Sequence, residues 1–210
     1  MRLTHPYERA FETYLRARRI PYVAVHEARR ALLPPPTSPA SSTPDAIKSF
    51  DFLVYGRNTN LLVDVKGRRV PPAAGTPRRT PARLQTWVSA EDVEALRHWQ
   101  QLFGPGFGAA LVFVYSFGPQ QPPDACFAEV LEHGGVWYAL RVALLEEYAA
   151  AMKPRSPRWR TVDVPAREFE RIGRPFAPEG FEPSPSARPA LQPLPANAAI
   201  LRPDPNPAPA

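Results

Sequence analysis

The chain predicts an α/β domain in which helices flank a central mixed β-sheet, in the order α-β-β-β-α-β with further strands towards the C-terminus. Three observations carry this. Residues 50–55 and 60–66 alternate apolar with other side chains at period two across the polar turn Gly56-Arg57-Asn58-Thr59, the pattern of a β-hairpin. Residues 6–19 before it and 90–104 after it carry apolar side chains at helical spacing. The unbroken apolar run 109–117 is bounded by glycines and prolines, as an interior strand is.

In chain order, Pro6 suits a first helical turn, and Tyr7, Phe11, Tyr14 and Leu15 form the stripe that the first helix would bury. Residues 20–25 follow as a short strand with Pro21 at its start. His26, Glu27, Arg29 and Arg30 read as its exposed end, and the proline- and serine-rich stretch 33–44 as a surface loop. After the hairpin, Pro71, Pro72, Gly75, Pro77 and Pro81 break the chain into an irregular excursion. Ser89 is the expected N-cap of the next helix, with Glu91 and Asp92 in its first turn. Beyond Pro122, residues 125–131 and 136–140 read as strands joined at His133-Gly134-Gly135, and 144–152 as weakly helical. Residues 153–160 form a basic cluster in which Trp159 is available for stacking or packing. A last strand at 161–164 and a last helical turn or two at 165–172 complete one domain over 1–172, with its core at 5–117 and an elaboration at 118–172. The proline-rich stretch 173–210 reads as a disordered tail.

Proline accounts for 29 of the 210 residues, which fits long segments without regular structure. The single cysteine, Cys126, excludes an internal disulfide and a thiolate zinc cluster, and a reducing cytoplasm is the expected compartment. The N-terminus lacks the apolar run of a signal peptide and the run at 109–117 is too short to span a bilayer, so no membrane role is expected. Net charge is +6, and Lys66, Arg68, Arg69, Arg78, Arg79 and Arg83 supply six positive charges with no acid among them. The remainder sums to zero. Such a segment is the footprint of a polyanion site, and nucleic acid ranks ahead of membrane because the prolines leave no amphipathic helical stripe.

If Tyr55 pairs with Asn60, paired residues have numbers summing to 115, and Asp51 falls opposite Asp64. Phe50, Phe52 and Val54 then share an apolar face with Val63 and Val65, while Asp51, Asp64 and Lys66 share the other. Carboxylates opposite each other in a ladder repel across roughly 4.5–5.5 Å. A hard divalent cation relieves this, and Mg²⁺ needs only one or two carboxylates besides waters and substrate phosphate. The plain alternative is a solvated face whose charges have no special role. On the first helix, Glu8 and Glu12 lie four apart on one face, near the apolar stripe and within reach of the sheet. A first-turn glutamate equally favours a helix N-terminus in its own right.

Together these residues resemble the PD-(D/E)xK nuclease superfamily, with its restriction endonuclease-like fold, and in layout the archaeal Holliday-junction resolvases. The resemblance covers about residues 5–117 and rests on Glu8 in Tyr7-Glu8-Arg9-Ala10-Phe11, Asp51 in Phe50-Asp51, and Asp64-Val65-Lys66, with Glu12 as the fallback for Glu8. Phe50 stands where the motif has proline, and neither the basic insertion nor the C-terminal third has a counterpart in the minimal fold. The resemblance implies an endonuclease dependent on Mg²⁺ or Mn²⁺. Asp51, Asp64 and the Val65 carbonyl would hold the ion, Glu8 would reach it directly or through water, and Lys66 would lower the pKa of the attacking water or stabilise charge on the phosphorus. Arg68, Arg69, Arg78, Arg79 and Arg83 would grip the backbone of nucleic acid, DNA in the first instance, with little sequence information. A homodimer is left open. So are two other classes: a catalytically silent nucleic-acid-binding protein on the nuclease fold, and a non-enzymatic interaction domain whose acids form ordinary ion pairs.

Overall fold

In the computed structural model, which describes residues 5–25, 48–71, 84–119, 122 and 127–176, the first helix and the hairpin form where spacing and alternation predict them. Helix α1 (Pro6–Ala17) opens on its proline and buries Ala10, Phe11, Tyr14 and Leu15. Strands β1 (Tyr22–Ala24), β2 (Phe52–Val54) and β3 (Asn60–Arg69) pair antiparallel in that order. Phe52 lies opposite Val63 and Val54 opposite Leu61, which is the predicted register. The Asp51 N–H donates to the Val63 carbonyl at 2.9 Å and extends it by one residue.

A short strand β4 (Val88–Ser89) leads into α2 (Ala90–Phe103). Ser89 Oγ accepts from the Asp92 N–H at 3.0 Å while the Asp92 carboxylate accepts from the Ser89 N–H at 3.1 Å, a reciprocal cap that fixes the helix start. α2 carries the chain over the sheet, so β5 (Phe107–Gly118) returns parallel to β3. β6 (Val130–His133) and β7 (Val136–Leu144) complete a six-stranded mixed sheet ordered β1-β2-β3-β5-β7-β6. After α3 (Leu145–Ala151) come β8 (Lys153–Ser156), β9 (Thr161–Asp163) and α4 (Ala166–Ile172). Strands β4, β9 and β8 form a separate three-stranded sheet. The sequence predicts neither β4, too short to alternate, nor β8, whose Lys-Pro-Arg-Ser composition reads as a basic loop.

Both faces of the large sheet are covered. α1 packs on Phe52, Val54, Leu61, Val63, Val112 and Val114, and α2, α3 and α4 pack on Leu62, Leu111, Phe113 and Tyr115. Full burial of a large apolar side chain contributes roughly 1.5–3 kcal/mol. β5, buried throughout residues 109–115, therefore anchors both layers.

Two expectations change. Phe50 does not share the Phe52 face; it packs edge-on against Trp99 and Phe103 of α2. The chain bends at Asp51 before β2 begins, so the alternation restarts there. Nor does the chain leave the fold at Gly173. Arg174 exchanges backbone hydrogen bonds with Val142 at 2.9 Å, and Phe176 is buried against Phe11 and Tyr14. Glu129 fastens this return, accepting from the Phe176 N–H and sharing the single Tyr14 hydroxyl proton with the Phe176 carbonyl, 2.9 Å from that hydroxyl. The rest of the expected tail, 177–210, lies outside the described residues, as do the loop 26–47 and the stretch 72–83. Among the described residues no helix is long and apolar enough to cross a membrane.

Candidate active site

Asp51 immediately precedes β2, and Asp64 and Lys66 lie two apart on β3, on the face that α2 covers. That face is not solvated. Asp64 is 8% exposed and the Lys66 side chain 12% exposed, so the reading of a solvated charged face is overturned. The β2–β3 ladder stops short of Val65, and the Asp51 carboxylate takes the place of a strand partner by accepting the Val65 N–H at 2.7 Å. Asp51 stands beside Asp64 across the hairpin, and the charge of each carboxyl group acts on the other.

Burial is the main force on both acids. It pushes Asp51 up to about 6, against the pull of the Val65 N–H and with the Glu8 charge adding to the rise. It pushes Asp64 up to about 7, with Lys66 opposing and Asp51 and Asp92 adding. The two titrate as a pair that retains a proton near neutrality unless a cation replaces it.

Lys66 Nζ stands 2.8 Å from Asp64 Oδ2 and 2.9 Å from Asp92 Oδ2. Burial alone would lower the lysine, but the two aspartates outweigh it and hold the ammonium above its usual range. Asp92 moves the other way. Burial would raise it, yet Lys66, Lys48 and Ser89 bring it down to about 2. Lys48 reaches its second oxygen, and the Trp99 indole N–H donates to the Lys48 carbonyl at 2.9 Å, tying the segment before Asp51 to α2. Asp92 is the site residue that sequence reasoning missed as such. The spacing Ser89-x-x-Asp92 announces the cap, but nothing local places that cap against Lys66.

Glu8 is half-buried on α1, and its charge acts on Asp51. Glu12 instead pairs with Arg16 at 2.7 Å and accepts from the Tyr22 hydroxyl at 2.8 Å, so the fallback is turned towards β1. Gly67 sets how closely α1 approaches. A Cβ there would come within 2.1 Å of the Tyr7 ring, next in sequence to Glu8.

Of the basic residues, Arg69 is exposed. Arg68 is not available as a backbone grip. It lies two residues beyond Lys66 on the same buried face, with its guanidinium over the Trp87 ring at 4.1 Å and donating to the Gly67 carbonyl at 2.7 Å and to the Trp87 carbonyl. Arg78, Arg79 and Arg83 fall outside the described residues.

Among the described residues, no group of three or more His, Cys, Asp or Glu side chains is arranged to hold a metal ion. The donor chemistry nevertheless suits one. Asp51 and Asp64 are hard oxygen donors whose charges act on each other, and Mg²⁺ is commonly held by one or two carboxylates with water completing the shell. Three aspartates here face two lysines, Lys48 and Lys66, and Glu8 adds to the negative field.

No protein-family model matches the chain, and no curated protein matches it in sequence. Among solved structures it is similar to Archaeoglobus fulgidus Hjc, a Holliday junction resolvase from an archaeal hyperthermophile, at 14% identity and a TM-score of 0.42, over 80% of this chain and 91% of that one.

Proposed function

We propose that the chain is a metal-dependent nuclease that hydrolyses phosphodiester bonds of nucleic acid, DNA in the first instance. The observation that supports this is the desolvated pair of acids, Asp51 held on the Val65 N–H and Asp64 on Lys66, whose charges act on each other. Two carboxyl groups desolvated against each other, in surroundings with more acids than bases, destabilise a fold but suit a cation. Asp51 and Asp64 would hold Mg²⁺ or Mn²⁺. The Val65 carbonyl shares a strand edge with the N–H that Asp51 accepts, and would complete the protein's share of ligands. Glu8 would act through a water. When bound, the ion supplies polarisation of the scissile phosphate and a lower pKa for the attacking water.

The remaining work falls to the chain's own groups. The Val65 N–H fixes one Asp51 oxygen and so orients the carboxylate. Lys66, kept protonated between Asp64 and Asp92, is unsuited to act as a base. Its ammonium instead offers hydrogen bonds and positive charge to the phosphate oxygen on which negative charge grows. Asp92 acts through Lys66 as a positioning residue. Arg69, together with Arg78, Arg79 and Arg83, would contact the phosphate backbone without reading bases.

The test is cleavage of supercoiled, linear and branched DNA by the purified chain with Mg²⁺ or Mn²⁺, beside Asp64→Ala and Lys66→Ala. Metal-dependent cleavage that Asp64→Ala abolishes and Lys66→Ala cuts by about 10²–10³ is the expected result. Binding without cleavage would indicate the silent nuclease-fold alternative, and neither binding nor cleavage would leave only the ion-pair reading of the acids.

A further inference from the structure

The second sheet has no part in the chemistry above, yet it carries an aromatic and basic groove. Trp87, Arg155, Ser156, Trp159 and Thr161 line an open space of about 540 Å³ on the surface. Its two tryptophans differ. Trp87 is a fixed wall, held by the Arg68 guanidinium stacked on it and bonded to its carbonyl. Trp159 is 69% exposed, on the turn between β8 and β9. A solvent-facing indole of that size contributes little to a core and offers an open π-face.

The cations decide the ligand class. Arg155 lies over the Trp87 ring at 5.2 Å and Arg158 over the Trp159 ring at 5.2 Å, both exposed. Such a rim repels a cationic ligand and favours an anion with a flat ring. Ser156 and Thr161 add hydroxyls that donate or accept. The groove also adjoins the acids. Lys66 and Arg68 are two residues apart on β3, about 7 Å along a strand, and Arg68 bears on Trp87.

We propose that this groove takes an unpaired nucleobase of a single nucleic-acid strand, stacked against Trp159 beside Trp87, with Arg155 and Arg158 on its flanking phosphates. A base inside a duplex presents no free π-face, so the groove selects single-stranded or unpaired segments over continuous duplex. The assignment of the strand's path towards Asp64 rests on the nuclease reading; the binding itself does not.

The experiment is fluorescence anisotropy of a labelled oligothymidine, its duplex and an abasic oligomer of equal length, titrated with the full chain in EDTA, for the unaltered chain and Trp159→Ala. The expected result is single-strand affinity reduced at least about fivefold by the substitution, the scale of one lost stack, with duplex affinity essentially unchanged. The abasic oligomer should bind the unaltered chain as weakly as oligothymidine binds Trp159→Ala. Arg155→Gln, which spares the indoles, should weaken single-strand binding and make it less sensitive to salt, by about one phosphate contact. Equal loss for duplex and single strand, or abasic binding as tight as oligothymidine, would overturn the groove. Selective loss in a chain that never cleaves would retain the groove and dismiss the nuclease; metal-dependent cleavage with unaltered Trp159→Ala binding would do the reverse.

Discussion

The Lys66 ammonium and the Asp92 carboxylate meet at 2.9 Å across the boundary between β3 and α2. A capping residue thereby holds a site lysine. Asp92→Asn keeps the shape of the cap but removes its charge, so Lys66 loses one of the two acids that keep it protonated. The alkaline limb of the cleavage profile should move down, with kcat falling more than KM changes. An unshifted limb would mean that Asp64 alone holds the lysine.

In metal-free buffer the Asp51–Asp64 pair should make the protein less stable as pH rises. Their folded-state values, about 6 and about 7, lie above the ordinary 3.8. The folded chain therefore binds more protons than the unfolded one between about pH 4 and pH 7, and stability falls across that window. Asp92, lowered to about 2, has the opposite sign; its contribution is full above about pH 4 and lost as pH falls through 2. The melting temperature in EDTA should drop by several degrees between about pH 5 and pH 7.5. Millimolar Mg²⁺ or Mn²⁺ should restore it at the upper pH and not at the lower, and Asp64→Asn should flatten both responses.

The acids should rank by distance from the chemistry. Asp51→Ala and Asp64→Ala should each abolish measurable cleavage, and Lys66→Ala should cost about 10²–10³ in kcat. Glu8→Gln, acting through a water, should cost about 10–100-fold and raise the Mg²⁺ concentration needed. Glu12→Gln, which loses only the Arg16 and Tyr22 contacts, should cleave normally. Equal effects at Glu8 and Glu12 in a cleavage titration against Mg²⁺ would return the choice between them to the open.

Gly67→Ala inserts a methyl group where the Tyr7 ring lies, and the ring is a rigid neighbour. Denaturant unfolding should show a loss of about 1–3 kcal/mol. The first turn of α1 should also shift, carrying Glu8 away, so cleavage should need more metal than stability alone explains. Tyr7→Ala in the same chain should relieve the clash, and failure to recover any metal affinity would disconnect Gly67 from Glu8.

The hairpin was legible because period two and a four-residue turn leave one register, and the α2 start because Ser89-x-x-Asp92 is a local device. Burial of the charged face was not, since it depends on where α2 crosses. The inward turn of Arg68 was available from the same alternation that placed Lys66, but a run of bases reads first as charge and only then as faces. Phe50 escaped because a bend leaves no mark in an apolar pattern. Of the second sheet only β9 was legible, at 161–164; β4 and β8 are too short, and β8 too poor in apolar residues, to show a period.

The junction of Tyr14, Glu129 and Phe176 has a consequence for synthesis. Tyr14 and Phe176 are 162 positions apart in the chain, so the seat of the N-terminal helix stays unfinished until Phe176 has left the ribosome. During that interval Phe11 and Tyr14 lack their final aromatic neighbour, and the nascent chain presents a greasy helix to chaperones. An expression clone cut after Ile172 would keep every helix and strand yet leave the Glu129 carboxylate without the Phe176 N–H. Seating of α1 thus waits on residues 174–176, and the first helix made is secured only after β7 and α4 have been synthesised.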